Sequence, residues 1–182
     1  MKLITNIPTV HGKGFTLRPF SPRDEASLVE HINSSHISDR VSNVPSPYTA
    51  EHAKAWLEHM RLNTASLWRG VKPKRLDFAI SVSGCVVGSV AFIDVKDHMA
   101  QVSYWLGQEY QGHGIMAEAV REVVSWGLRD CGFVRIWGYT WSDNKASQKV
   151  LERAGFTLEG VHRKVWPKNG EFYDSHMYAV VV

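Results

Sequence analysis

Cysteine is scarce in this chain. Its two residues, Cys85 and Cys131, lie far apart without C-x-x-C spacing, which excludes a disulfide framework, a thiolate zinc knuckle and a dithiol redox centre. Both are expected as reduced, buried thiols of a cytosolic protein. Long apolar runs are missing as well. No stretch approaches about 18 residues, so neither a membrane span nor a membrane partner is expected, and the opening MKLITNIPTVHGKG lacks the apolar segment of a signal peptide. Nor does charge of one sign accumulate: the formal net charge is +3, which disfavours nucleic acid as a partner. The one compact basic run, Arg69 to Arg75 (RGVKPKR), contains Gly70 and Pro73 but no aromatic residue, and reads as a solvated loop. Histidines are plentiful but badly spaced for metal. His52 and His59 are seven apart on a helix and His31 and His36 five apart, so no metal site is expected.

What is present is an ordinary globular composition, 44% hydrophobic with no low-complexity tract, over a length that suits one domain spanning residues 1–182. Phe15 to Phe20 (FTLRPF) alternates like a strand, and Ser21-Pro22-Arg23-Asp24 then supplies an N-cap, a first-turn proline and an acidic third position for a helix to about Ser34. Thr49 caps a second helix, on which Ala53, Trp56, Leu57 and Met60 recur at helical spacing. The period then changes. Leu76 to Val82 and Cys85 to Val95, joined by Ser83-Gly84, read as a hairpin, with Ala100 to Leu106 as a third antiparallel strand. A helix from about Ile115 to Cys131 crosses over to a parallel strand, Phe133 to Tyr139. A further helix, Asn144 to Ala154, ends at Gly155, and two strands near 156–165 and 171–182 turn at Asn169-Gly170.

Two segments stand out. The first is EYQGHGIMA, residues 109–117, where two glycines open a helix. Helix N-termini expose unpaired N–H groups and a positive dipole end, and side-chain-free Gly112 and Gly114 let the amides of Gln111 to Met116 curl around a pyrophosphate. Ile115-Met116 stands where a P-loop needs lysine and serine or threonine, and the third glycine of a Rossmann loop is missing. Taken alone, the stretch is equally a plain helix-entry turn. The second segment is NKASQKVLERAGF, residues 144–156. Ser147, Val150, Leu151 and Ala154 share a helix face, so the Ser147 hydroxyl points inward, either to bond a helix carbonyl or to serve chemistry.

Together these segments resemble the two signatures of the GCN5-related N-acetyltransferase superfamily. QGHGIMAEAV is similar to its acetyl-coenzyme A pyrophosphate loop and NKASQKVLERAGF to its N-x-x-S-x-x-(V/L)-x-x-x-x-G-F motif. FTLRPF, PYTAEHAKAWL and EGVHRKVWPKNGEFYDSHMYAVV extend the resemblance, from about Phe15 to the C-terminus, to the ribosomal-protein acetyltransferase branch of RimJ and RimL. One departure is Glu109, where the loop often starts with Gln or Arg.

The resemblance implies an α/β fold in which a central, mixed, mostly antiparallel twisted sheet of about seven strands is flanked by about four helices. It implies acetyl-CoA as co-substrate, held by Gln111, Gly112, His113, Gly114, Ile115 and Met116, with pantetheine running beside the Ala100–Leu106 strand. Main-chain N–H groups near Trp105 and Leu106 would polarise the thioester, and Asn144 would hold pantetheine or a water. Ser147 is implied as the acid for the leaving thiolate and Glu159, in TLEG, as the base or water-orienting group. Tyr48, Tyr104, Trp105, Tyr173 and Tyr178 are candidate walls of an acceptor pocket built from His31–Tyr48 and the Pro167–Tyr173 hairpin. The implied reaction is direct acetyl transfer, through a ternary complex, to a primary amine. A protein N-terminus, an amino acid, a polyamine and an aminoglycoside all stay open as acceptor, as do monomer and homodimer. A non-catalytic acyl-CoA-binding module is the rival reading.

Overall fold

Leu76–Val82 and Cys85–Ile93 are buried at nearly every position instead of every second one, the mark of strands covered on both faces. The computed structural model describes residues 4–33, 37, 44–168 and 170–182. Its strands are β1 (Val10–Gly12), β2 (Phe15–Arg18), β3 (Leu76–Val82), β4 (Cys85–Ile93), β5 (Met99–Leu106), β6 (Arg135–Trp141), β7 (Thr157–Lys168) and β8 (Glu171–Val181). Among the described residues there are four α-helices: α1 (Glu25–Ile32), α2 (Ala50–Trp68), α3 (Ile115–Trp126) and α4 (Lys145–Arg153). None is long and apolar enough to cross a membrane.

The eight strands form one sheet in the order β1-β2-β3-β4-β5-β6-β8-β7, in which only β5 and β6 run parallel. The crossover expected from the helix behind the glycine segment is therefore present. β1 is the strand that alternation missed. It is three residues long and pairs with β2 across Lys13-Gly14, where Gly14 takes a φ of +82°.

Alternation along the strands sorts side chains onto two layers. Leu76, Phe78, Ile80, Val90, Phe92, Ala100, Val102 and Ile136 pack with α3 and α4 in the larger core. On the other face Ala79 and Val86 meet Leu28 and Ile32 of α1 and Ala53 and Leu57 of α2. Asp77 lies on that second face, 4% exposed, and Arg75 holds both its oxygens at 2.7–2.8 Å while stacking over Trp56. Burial pushes the Asp77 pKa up, and the guanidinium opposes that shift.

Two expectations need correction. The helix predicted to Cys131 is α-helical only to Trp126, and residues Gly127–Cys131 form a wider π turn. Gly127, the first residue of that turn, backs directly onto the Phe92 ring, where a Cβ would come within 2.6 Å, so only glycine lets the chain pass this close. Cys131 is buried as expected, but Cys85 is exposed. It starts β4 immediately after the tight turn at Ser83 and Gly84 (φ +49° and +89°). At the far edge Gly170 turns the β7–β8 hairpin with φ +81°, and Asn169, the other expected turn residue, lies outside the described residues.

Candidate active site

β5 and β6 pair only over Met99–Gln101 with Arg135–Trp137, and beyond that the strands diverge. Gly138 sits at the vertex, where a Cβ would press within 3.0 Å of Val102 Cγ1. A cleft therefore opens between the second halves of β5 and β6. Gly107 N–H donates to Val87 O at 2.8 Å, and by the two-residue alternation of an antiparallel ladder the N–H of Trp105 also faces β4. Of the two N–H groups expected at the thioester, that of Leu106 is directed to the β6 side and that of Trp105 to β4. The Leu106 carbonyl already accepts from Gln111 Nε2 at 2.9 Å, so Gln111 braces the strand end by its side chain.

Just past β5 the chain makes a 3-10 turn at Gln108–Tyr110 and then enters the glycine segment. Gly112 and Gly114 adopt φ of +82° and +83°, the left-handed backbone that glycine tolerates best. Gly114 caps α3 without any side chain, so the N–H groups of Ile115, Met116 and Ala117 have no intrahelical acceptor; Glu118 N–H is the first to find one, on Gly114 O at 3.1 Å. Apart from the adjoining residues of the chain, no atom lies within 4 Å of where a Cβ would stand on either glycine. The Glu118 carboxylate, which would compete for these amides, accepts instead from Lys13 N–H at 2.9 Å.

Ser147 lies in the first turn of α4, on the same face of the sheet as α3. Asn144 is the helix N-cap, and its Oδ1 accepts from Ser147 N–H at 3.1 Å. Gln148 fastens the turn before the helix, donating to the carbonyls of Trp141 and Ser142 at 3.3 and 3.0 Å. The Tyr104 hydroxyl stands 2.7 Å from Ser147 Oγ and 3.2 Å from Ser147 O. Burial drives the Tyr104 pKa far above its ordinary value, against the opposing hydrogen bond from Ser147, so the phenol stays protonated.

These positions split the expected acceptor wall between two faces. Tyr104 and Tyr178 both belong to the α4 side, Tyr178 donating to Glu152 Oε1 at 3.2 Å. Tyr48 and Trp105 lie on the α1–α2 side, with Tyr48 held by Asn33 through two 2.8 Å hydrogen bonds. Tyr173 shares that face and packs on Trp141 with ring centroids 5.2 Å apart. Part of the predicted pocket region, residues 34–36 and 38–43, lies outside the described residues.

Glu159 is on β7, near the closed end of the cleft, in a bidentate pair with Arg135. Those hydrogen bonds hold its carboxyl below the ordinary carboxylate range. Arg135 and Gln148 were not foreseen in the sequence. Arg135 alternates with core residues on β6, yet nothing in sequence brings it to a residue 24 positions away.

The comparisons agree with this geometry. Residues 15–157 match the family described as acetyltransferase (GNAT) domain. The uncharacterized N-acetyltransferase YoaA of Bacillus subtilis is 33% identical over 98 residues, which is 53% of this chain and 55% of that protein, so the match spans about half of each. The ribosomal-protein-S5-alanine acetyltransferase of Vibrio fischeri shares the fold with a TM-score of 0.83, at 22% identity over 96% of this chain and 97% of that one. The microcin C7 self-immunity acetyltransferase MccE, solved with acetyl-CoA and AMP, has a TM-score of 0.80 at 26% identity, over 94% of each chain. A cleft between diverging parallel strands, an uncapped helix start beside it and the matched domain lead to one conclusion: the chain belongs to the GNAT acetyltransferase family and is an acetyl-CoA-dependent acetyltransferase.

Proposed function

We propose that this enzyme acetylates a primary amine by direct attack on the acetyl-CoA thioester within a ternary complex. The observation that carries this reading is the Tyr104–Ser147 contact beside the cleft and next to the free amides of α3. The amides of Gly112 to Met116 receive the pyrophosphate, and the thioester enters the β5–β6 cleft. As the amine nitrogen bonds to the carbonyl carbon, the Leu106 N–H meets the forming oxyanion. The nitrogen gives up its extra proton to water, and collapse then breaks the C–S bond. Tyr104 has a single hydroxyl proton: when Ser147 O takes it, Ser147 Oγ donates to the phenol, and when Oγ takes it, the serine proton is free for the departing thiolate. In both states Tyr104 acts as the positioning partner of Ser147 and not as an acceptor wall.

Glu159 keeps its carboxylate ionised, but both oxygens are engaged by Arg135. Of the two roles open to it, orienting a water or the incoming ammonium suits that arrangement better than strong base catalysis. An α-amine, with a pKa of about 7.7–8, needs little help to lose its proton at neutral pH. The Glu159→Gln variant is therefore expected to lower kcat/KM only about 5-fold, less than full general-base catalysis provides. Turnover equal to wild type would remove Glu159 from the reaction.

The acceptor we favour is a protein N-terminus, in keeping with the S5-alanine enzyme, while a small amine remains the competing substrate. Free-thiol release from acetyl-CoA across Ala- and Ser-initiated peptides, amino acids, polyamines and aminoglycosides decides between them. The pH profile gives an independent reading. Because Arg135 holds Glu159 ionised, the rising limb of kcat/KM comes from the acceptor. It is expected near pH 7.7–8 for an α-amine, and near 10.4 for a lysine-like one.

A further inference from the structure

The turn that leads from β5 into the glycine segment is held from the opposite side of the sheet. His31, on α1 and 7% exposed, inserts its ring among three consecutive features of that turn. Its Nδ1 is 3.2 Å from Glu109 Oε1. Its ring meets the Tyr110 ring edge-on, with centroids 5.5 Å apart, and a Cβ on Gly107 would stand 3.2 Å from the same Nδ1. The two atoms are within ion-pair distance, so the imidazole and the carboxylate face each other directly. The neighbours of His31 on α1, Leu28 and Ile32, belong to the other core with Tyr48, Ala53 and Leu57. One side chain thus ties the α1–α2 layer to the entrance of the loop on the α3 side.

We infer that His31 is a positioning residue for donor binding, acting through Glu109 to hold the 3-10 turn so that the following amides converge on the pyrophosphate. This rests on the reading of Gly112 to Met116 as the phosphate loop. It also gives a function to Glu109, the residue that departs from the Gln or Arg often found there. A carboxylate so near an anion site is otherwise unfavourable. Glu109 is 64% exposed at its side chain, and an exposed pair contributes little to stability, so its effect belongs in loop geometry. Among the described residues, the other side-chain hydrogen bond at this turn is that of Gln111 Nε2 to Leu106 O, on its own strand.

The test uses the full-length protein and two readouts, calorimetric Kd for CoA and steady-state kinetics with acetyl-CoA against acetyl-pantetheine, which lacks the pyrophosphate. Glu109→Ala is expected to raise the CoA Kd and the acetyl-CoA KM about 5–10-fold, with kcat at saturating donor and the melting temperature close to wild type. Its KM for acetyl-pantetheine stays unchanged. His31→Phe has the same effect, the double variant is no worse than either single one, and His31→Asn, whose Nδ2 falls near the position of Nδ1, recovers part of the loss. Because His31 is buried, the exposed Glu109 variant keeps the test decisive if His31→Phe folds poorly. Unchanged or tighter CoA binding by Glu109→Ala overturns the proposal; tighter binding is the outcome if the carboxylate merely repels the pyrophosphate. Wild-type protein that binds acetyl-pantetheine as well as acetyl-CoA overturns the phosphate loop itself, a distinct failure.

Discussion

Alanine at Ser147 is expected to lower kcat by about 100-fold while the Kd for CoA stays within about 2-fold of wild type. The split follows from position. Ser147 Oγ is engaged by Tyr104, 2.7 Å away, while the proposed pyrophosphate amides are main-chain groups of another segment, so its loss leaves the donor anchored and removes only the proton needed as the C–S bond breaks. Tyr104→Phe tests the same step from the other side. It deletes a buried hydroxyl at a stability cost of about 1 kcal/mol and leaves Ser147 free to turn its proton elsewhere; kcat is expected to fall about 10-fold. Since both side chains serve one proton transfer, the double variant should be little worse than Ser147→Ala. An additive double variant, or a Ser147→Ala enzyme that gains as much as wild type from a better leaving thiol, would show that thiolate protonation does not involve this pair.

How much of this was legible in the sequence depends on the range of each interaction. The glycine segment and α4 were readable because their signals are local: a φ above +80° demands glycine within one residue, and a helix face repeats within four. The same holds for the Ser83-Gly84 turn. The face of the sheet to which Tyr104 belongs was not readable in this way. Tyr104 and Trp105 are neighbours in sequence, yet alternation puts one against Ser147 and the other against α1 and α2. Only the register with β4 says which is which. The Arg135–Glu159 pair needs β6, β8 and β7 stacked in that order, so a carboxylate assigned as base on motif alone came with an unforeseen partner. His31 was noticed only for its failure to match a zinc spacing. Its contact with Glu109 joins residues 78 positions apart, across the layers of the fold.

The glycines allow the sharpest separation of stability from binding. At φ of +82° and +83° an alanine carries about 1–2 kcal/mol of strain, but no atom within 4 Å of its Cβ adds a clash. The protein should therefore stay folded, with each single variant losing no more than that strain. If the chain instead relaxes to negative φ, the strain vanishes and the peptide planes on either side of residue 114 rotate, taking their N–H groups off the pyrophosphate. Either way the cost reaches the donor: the double variant Gly112→Ala, Gly114→Ala is expected to weaken CoA about 100-fold, which corresponds to about 2.7 kcal/mol. Asparagine tells the two causes apart, because it is larger than alanine yet visits the left-handed region more readily. Gly114→Asn should bind CoA more tightly than Gly114→Ala if backbone direction governs the site. If Asn is the worse of the two, the site excludes bulk, and the amides are not what the glycines protect.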